Sequence, residues 1–206
     1  MTDQKFNRLT ALIRVPKTGS TSLIGSLQEV GINEKKSTTK ELNELWVINN
    51  EQIYDIKPVD LEKHYVFATI RNPLTRFISG WRFCLRMKWI PEGLTPLDLL
   101  KTIRNGQEST LSREIYFHVV MPQSRWLFAD GKLLCDNIIK FEQLGDIQHL
   151  VKYLGVDNFQ LSHLKNSKNK YSTHPGTDCY YMIKYPRLSK LHRKVFEEDW
   201  HRLPYE

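Results

Sequence analysis

The stretch Arg14-Val15-Pro16-Lys17-Thr18-Gly19-Ser20-Thr21-Ser22 constrains this chain more than any other. Ahead of it, Leu9, Ala11, Leu12, Ile13 and Val15 form a short apolar run, the pattern of a buried strand. Behind it, Leu23, Ile24, Leu27 and Val30 recur at helical spacing, and Gly31 suits a C-terminal cap. The residues predict a strand, a tight turn and a helix. A helix N-terminus presents unpaired N–H groups and the positive end of its dipole, so it readily holds a phosphate. Gly19 allows close backbone approach to such an anion, and Lys17 adds a full positive charge.

The spacing is not that of a Walker A loop, because Lys17 precedes the glycine of the turn instead of following one. An ordinary strand-to-helix turn with Ser and Thr caps is the plainer reading of these nine residues alone.

A second unit of the same kind follows. Residues 65–70 are a continuous β-prone run ending in Arg71-Asn72-Pro73, and Pro73 fits the first position of a helix. That helix carries Arg76 and Ser79 three residues apart on one face, with Phe77, Trp81 and Leu85 as its apolar stripe. Ligands of open α/β sheets bind at the carboxyl ends of parallel strands, so both turns are expected at one crevice. The bland alternative to a ligand-facing role for Arg71 and Arg76 is that they are surface helix charges.

The remainder is less specific. Residues 33–44 are polar and read as a surface loop, leading into a short helix at the apolar Leu45 to Ile48. Residues 91–112 look like a loop-rich insertion around a helix at 96–104. Residues 116–128 hold His118, Gln123 and Arg125 in an apolar setting, either a core helix or a substrate-facing wall. A short strand at 137–141, an amphipathic helix over 143–154, a polar and basic lid over 161–178 and a last helix after Pro186 complete the expectation. At 206 residues without a linker, the chain is expected to be a single domain. The net charge of +7 favours an anionic ligand or partner. Cys84, Cys135 and Cys179 lack metal-type spacing and read as buried free thiols of a reducing compartment. No run of 18 apolar residues occurs, so a soluble, cytoplasmic protein is expected, though a trimmed luminal catalytic domain would read the same way.

With both signatures in place, the chain resembles the carbohydrate sulfotransferases. Residues 14–22 look like that family's 5′-phosphosulfate loop, and Arg71-Asn72-Pro73 with Arg76, Ser79 and Trp81 looks like its 3′-phosphate motif. Phe141-Glu142, His163 to Ser167 and Tyr185 to Asp199 extend the resemblance over roughly residues 8–202. It implies a P-loop-like, three-layer α/β fold with a central parallel sheet flanked by helices. The implied donor is 3′-phosphoadenosine 5′-phosphosulfate (PAPS), with adenosine 3′,5′-bisphosphate as product, no metal, and a carbohydrate or other hydroxyl as acceptor. Arg14, Pro16, Lys17, Thr18, Gly19, Ser20, Thr21 and Ser22 would hold the phosphosulfate, with Lys17 also stabilising charge on the leaving phosphate. Arg71 and Ser79 would bind the 3′-phosphate.

One position departs from the family. A catalytic histidine often stands five residues before a Glu-Leu pair, and before Glu41-Leu42 that place holds Lys36. A lysine base would need its pKa lowered by about 3 units, roughly 4 kcal/mol. Glu41 and Glu44 are the preferred candidates, with Lys36, His64 and His118 beside them. A silent nucleotide- or sulfated-glycan-binding module of the same fold is the alternative that Lys36 suggests. A P-loop-type kinase would demand magnesium-dependent ATP binding and lacks its motif, and nucleic-acid binding has only the charge in its favour.

Overall fold

In the computed structural model, residues 9–35, 44–48, 61–144, 147, 150, 154, 159 and 186–205 are described. The chain divides into two compact units, Met1–Ile70 with Trp126–Leu164, and Arg71–Arg125 with Lys165–Glu206.

The first unit holds a five-stranded sheet in which every pairing is parallel. Its strands are β1 (Leu9–Ile13), β2 (Asn33–Lys35), β3 (Glu44–Ile48), β4 (His64–Ile70) and β7 (Asn137–Lys140), in the order β2-β3-β1-β4-β7. Parallel strands buried on both faces read as continuous apolar runs. Accordingly Ala11, Leu12 and Ile13 of β1 and Phe67, Ala68 and Ile70 of β4 are all fully enclosed. Helix α1 (Ser20–Glu29) lays Leu23, Ile24 and Leu27 against Leu12, Val47, Phe67 and Ile139. It ends as expected: Gly31 takes φ 86°, its N–H donates to Gln28 O, and Ile32 N–H donates to Leu27 O. From β1 the chain moves through α1 to β2 and β3 on one side, then crosses to β4 on the other. The carboxyl ends of β1 and β4 therefore flank the switch point of the sheet, where open α/β sheets bind ligands.

The second unit is helical. Its helix α2 (Pro73–Arg86) buries Leu74, Phe77, Ile78 and Trp81 among Leu99 and Leu100 of α3 (Pro96–Arg104) and Leu188 of α6 (Pro186–Val195). Phe196 and Trp200, the latter in α7 (Glu197–Arg202), close the same cluster. A short α4 (Arg113–Ile115) continues as a π-helical turn, Tyr116–Val120. Gly80 is required there, since a Cβ would stand 2.3 Å from the His118 carbonyl oxygen.

The α/β expectation with a central parallel sheet and flanking helices is met, as are the strands at residues 65–70 and 137–141 and the helix at 96–104. Three local readings change. Leu45 to Ile48 is not helical but lies in β3, whose β-branched Val47 and Ile48 are buried and suit a pleated, enclosed position better than a helix. Asn33–Lys35, read as loop, pairs with β3 as the sheet's edge. Residues 116–128 are neither one helix nor one wall but the π-turn, a short α5 (Ser124–Leu127) and β5 (Phe128–Ala129). An Asp130-Gly131 turn with φ 48° and 74° joins β5 to β6 (Lys132–Leu133), the backbone that a two-residue hairpin loop selects. The lid expected over 161–178 lies outside the described residues, as does most of the helix expected over 143–154.

Candidate active site

In the first unit, the chain leaves β1 as a braced loop. Arg14 N–H donates to Ile48 O at 2.9 Å, extending the sheet by one bond beyond Ile13. Lys17 then takes φ 68° and Gly19 φ 85°, so two of three consecutive residues are left-handed. Thr18, between them, is fully buried. Its hydroxyl donates to Val15 O at 2.8 Å. That spends its proton, so the 2.7 Å bond to Thr69 Oγ1 must run from the Thr69 hydroxyl to Thr18 Oγ1. Thr69 belongs to β4, and this bond ties the loop to the neighbouring strand at the switch point. Ser20 also turns inward, donating to Val15 O at 3.4 Å.

Gly19 caps α1 without a side chain. A Cβ there would lie 2.6 Å from both Leu144 Cδ1 and Phe141 Cδ2, so space and φ both demand glycine. The N–H groups of Ser22 and Leu23 donate to Gly19 O, while those of Ser20 and Thr21 precede the first intrahelical bond. Arg14 Nη2 donates to Thr21 Oγ1 at 3.2 Å, which brings a guanidinium beside this helix end. Arg14, Lys17 and the first turn of α1 thus concentrate positive potential on one loop, as an anion requires.

In the second unit, Arg71 is buried, not a surface charge. Asn72 caps α2, its Oδ1 accepting from Leu74 N–H and Thr75 N–H at 3.2 and 3.3 Å. Arg71 Nε donates to Thr75 Oγ1 at 3.0 Å. Thr75 and Ser79 are four apart and follow one stripe of α2, and Ser79 is buried. Arg76, expected to share the face of Ser79, points into the core. Its Nη1 donates to Met121 O at 3.0 Å and its Nη2 to Phe117 O at 3.5 Å. Burial lowers its pKa to about 10, against the opposing charge of Asp199, so it stays protonated at neutral pH. The Asp199 carboxyl is raised by burial, while Arg76 and the N–H groups of Ser124 and Gln123 act the other way.

The base candidates that are described lie on different elements. Lys36 and Glu41 lie outside the described residues. Glu44 opens β3, four residues before Ile48, at the amino edge of the sheet and about 13 Å along the strand from the loop edge. His64 opens β4 at that same amino edge, in register with Leu9. His118 is half-buried with Nδ1 2.8 Å from Glu114 O, and its ring lies 4.8 Å from that of Phe83. Cys84 and Cys135 are buried and form no disulfide, Cys179 lies outside the described residues, and burial pushes the Cys135 thiol up to about 12, which keeps it unreactive. Among the described residues no cluster of His, Cys, Asp or Glu could hold a metal, and no helix is long and apolar enough to cross a membrane.

Sequence reasoning missed Thr69, Thr75 and Asp199, and singled out Gln123 without giving it a role. Thr69 was findable as the polar residue of an otherwise apolar run two places before Arg71. Gln123 and Asp199 meet across 76 residues, and nothing local announces them.

Fold and loop together describe an α/β protein with a basic loop and a helix N-terminus at the switch point of a parallel sheet. The profile of the Sulfotransferase family matches residues 9–205, and the chain belongs to that family. Membership supports sulfotransfer as its activity. Among solved structures, a sulfotransferase from Alicyclobacillus acidocaldarius is similar in fold, with a TM-score of 0.53 and 13% identity over 95% of this chain and 99% of that one. A comparison with curated proteins returns no match.

Proposed function

We propose that this chain transfers a sulfuryl group from PAPS to a hydroxyl, and that the acceptor is a carbohydrate. The observation that carries the reading is the Arg14–Ser22 loop: a buried Thr18–Thr69 bond fixes it at the switch point, and two left-handed residues, Lys17 and Gly19, turn the chain there into the start of α1. The residues fit a phosphosulfate. Ser20 and Thr21 supply N–H donors, Arg14 and Lys17 supply charge, and Gly19 leaves room for close approach. The hydroxyls of Thr18 and Ser20 are committed to Val15 O, so these two residues serve the anion through backbone and bracing. Arg71 and Ser79 are assigned the 3′-phosphate, on the strength of the family motif.

PAPS supplies an activated sulfuryl group whose bond to the 5′-phosphate breaks during transfer. The acceptor oxygen forms the new S–O bond, the bond to the phosphate gives up its electron pair to that phosphate, and the acceptor proton leaves to a base. Lys17 neutralises the negative charge that develops on the phosphate side, as in phosphoryl transfer, where positioning and charge stabilisation do most of the work. Glu41 and Lys36 are kept as bases, while the amino-edge position of Glu44 speaks against it. Lys17→Ala should cut the release of adenosine 3′,5′-bisphosphate from PAPS, measured over a pool of sugar acceptors, by at least about a hundredfold. Turnover at the wild-type rate in that variant would remove Lys17 from the mechanism. A silent binding module, the reading Lys36 favours, predicts bisphosphate binding with no turnover in the wild type either.

A further inference from the structure

Gln123 is a fully buried polar side chain that the reaction does not use, and both ends of its amide are spent on one residue. Its Oε1 accepts from Arg71 N–H at 2.9 Å, and its Nε2 donates to Arg71 O at 2.8 Å. The amide thus pairs with the peptide groups on either side of the Arg71 Cα, as a neighbouring strand would, just where β4 has ended. Gln123 is itself anchored. Its N–H donates to Asp199 Oδ2 at 2.9 Å, and Ser124 N–H donates to Asp199 Oδ1 at 2.8 Å, so one carboxylate of α7 holds the turn before α5. Arg76, which donates to Met121 O in the same turn, sets its charge opposite Asp199. From the other side, Thr75 holds the guanidinium. Its Oγ1 accepts from Arg71 Nε at 3.0 Å and donates to Asn72 O at 3.1 Å.

We propose that Gln123 and Thr75 are positioning residues for Arg71, the first fixing its backbone and the second its guanidinium, and that together they set the preference for a nucleotide bearing a 3′-phosphate. This rests on the reading of Arg71 as the 3′-phosphate ligand. The physical argument is preorganisation. An arginine discriminates a phosphate by directed hydrogen bonds, and its fork keeps that directionality only if the stem and the Cα are held. A long side chain at the end of a strand would otherwise lose rotamer entropy on each binding event. Two bonds to the main chain and one to Nε remove most of that freedom beforehand.

The test compares dissociation constants for adenosine 3′,5′-bisphosphate and adenosine 5′-monophosphate in the full chain, the ratio of the two isolating the 3′-phosphate. Gln123→Met keeps volume and removes both amide bonds, and Thr75→Val removes the acceptor at a half-buried site where folding is not at stake. Each should shrink the ratio by about tenfold, the scale of one hydrogen bond to a charged group, and leave the monophosphate constant unchanged. Leu188→Ala, in the core of the same unit, should lower the melting temperature and leave the ratio alone. Arg71→Ala should abolish the preference. If Arg71→Ala does so while Gln123→Met and Thr75→Val keep the wild-type ratio, the positioning role is overturned and the Arg71 reading stands. A wild-type ratio in Arg71→Ala overturns both. Equal weakening toward the two nucleotides in Gln123→Met and Thr75→Val would mark general damage and also overturn the proposal.

Discussion

Lys17 holds a left-handed backbone, φ 68°, which costs an L-residue with a Cβ about 1–2 kcal/mol. A conformation of this kind persists where the surroundings enforce it, and such residues gather at functional sites. Here Thr18 and Gly19 supply the enforcement. Lys17→Gly should therefore leave the melting temperature equal or slightly raised, since glycine adopts the conformation freely, while sulfuryl transfer is lost. A clear fall in stability with transfer retained would assign the strain to structure and not to function. The Thr18–Thr69 pair makes a second prediction at this scale. Thr69→Val leaves Thr18 Oγ1 without its buried donor and should cost about 1–3 kcal/mol in urea unfolding. The double variant Thr18→Val with Thr69→Val should cost less than the sum of the two singles, the mark of a direct coupling. Additive costs would show that the two hydroxyls do not depend on each other.

At the scale of elements, the two strand–turn–helix units were legible because each states itself locally: an apolar run, a breaker, then a cap or proline, then helical spacing. Arg71-Asn72-Pro73 carries its own instructions, Pro73 at the first helical position and Asn72 as the cap that Leu74 and Thr75 use. The sheet's far edge was not legible. Asn33–Lys35 is three polar residues, and only its parallel partner makes it a strand. The Asp130-Gly131 hairpin is legible in principle, since that dipeptide is a strong turn signal, but the strands it joins are only two residues each and leave no alternating pattern. Arg76 shows a different limit: helical spacing placed it correctly on α2, but whether a given face meets solvent or a core is decided by the segment Phe117–Met121, far along the chain.

The helical unit also contains a titration device. His192 is buried between Phe77 and Phe196, and its Nδ1 accepts from Trp200 Nε1 at 3.3 Å. Burial first, and then the Arg76 charge, lower its pKa to about 3 from an ordinary 6.5. Between those values the unfolded chain binds the proton and the folded chain does not, so stability falls as pH drops from 6.5 toward 3. Unfolding free energy measured against pH should decline through that window, and His192→Phe should flatten the decline. An unchanged slope in that variant would place the acid sensitivity elsewhere.

For the molecule as a whole, the net charge of +7 fits an anionic donor, but the charges that matter are few and placed by the fold. Lys17 and the first turn of α1 stand in the unit with the sheet, and Arg71 and Ser79 belong to the helical unit. In the proposed reading the phosphosulfate is met by backbone N–H groups and a lysine, and the 3′-phosphate by an arginine held by Gln123 and Thr75. The central claim is that this chain selects a 3′-phosphorylated adenosine nucleotide without magnesium. Calorimetric titration with adenosine 3′,5′-bisphosphate, set against ATP with and without magnesium, tests it most directly. The account predicts tight, magnesium-independent binding of the bisphosphate that is lost in Arg71→Ala. A preference for ATP that depends on magnesium would contradict it.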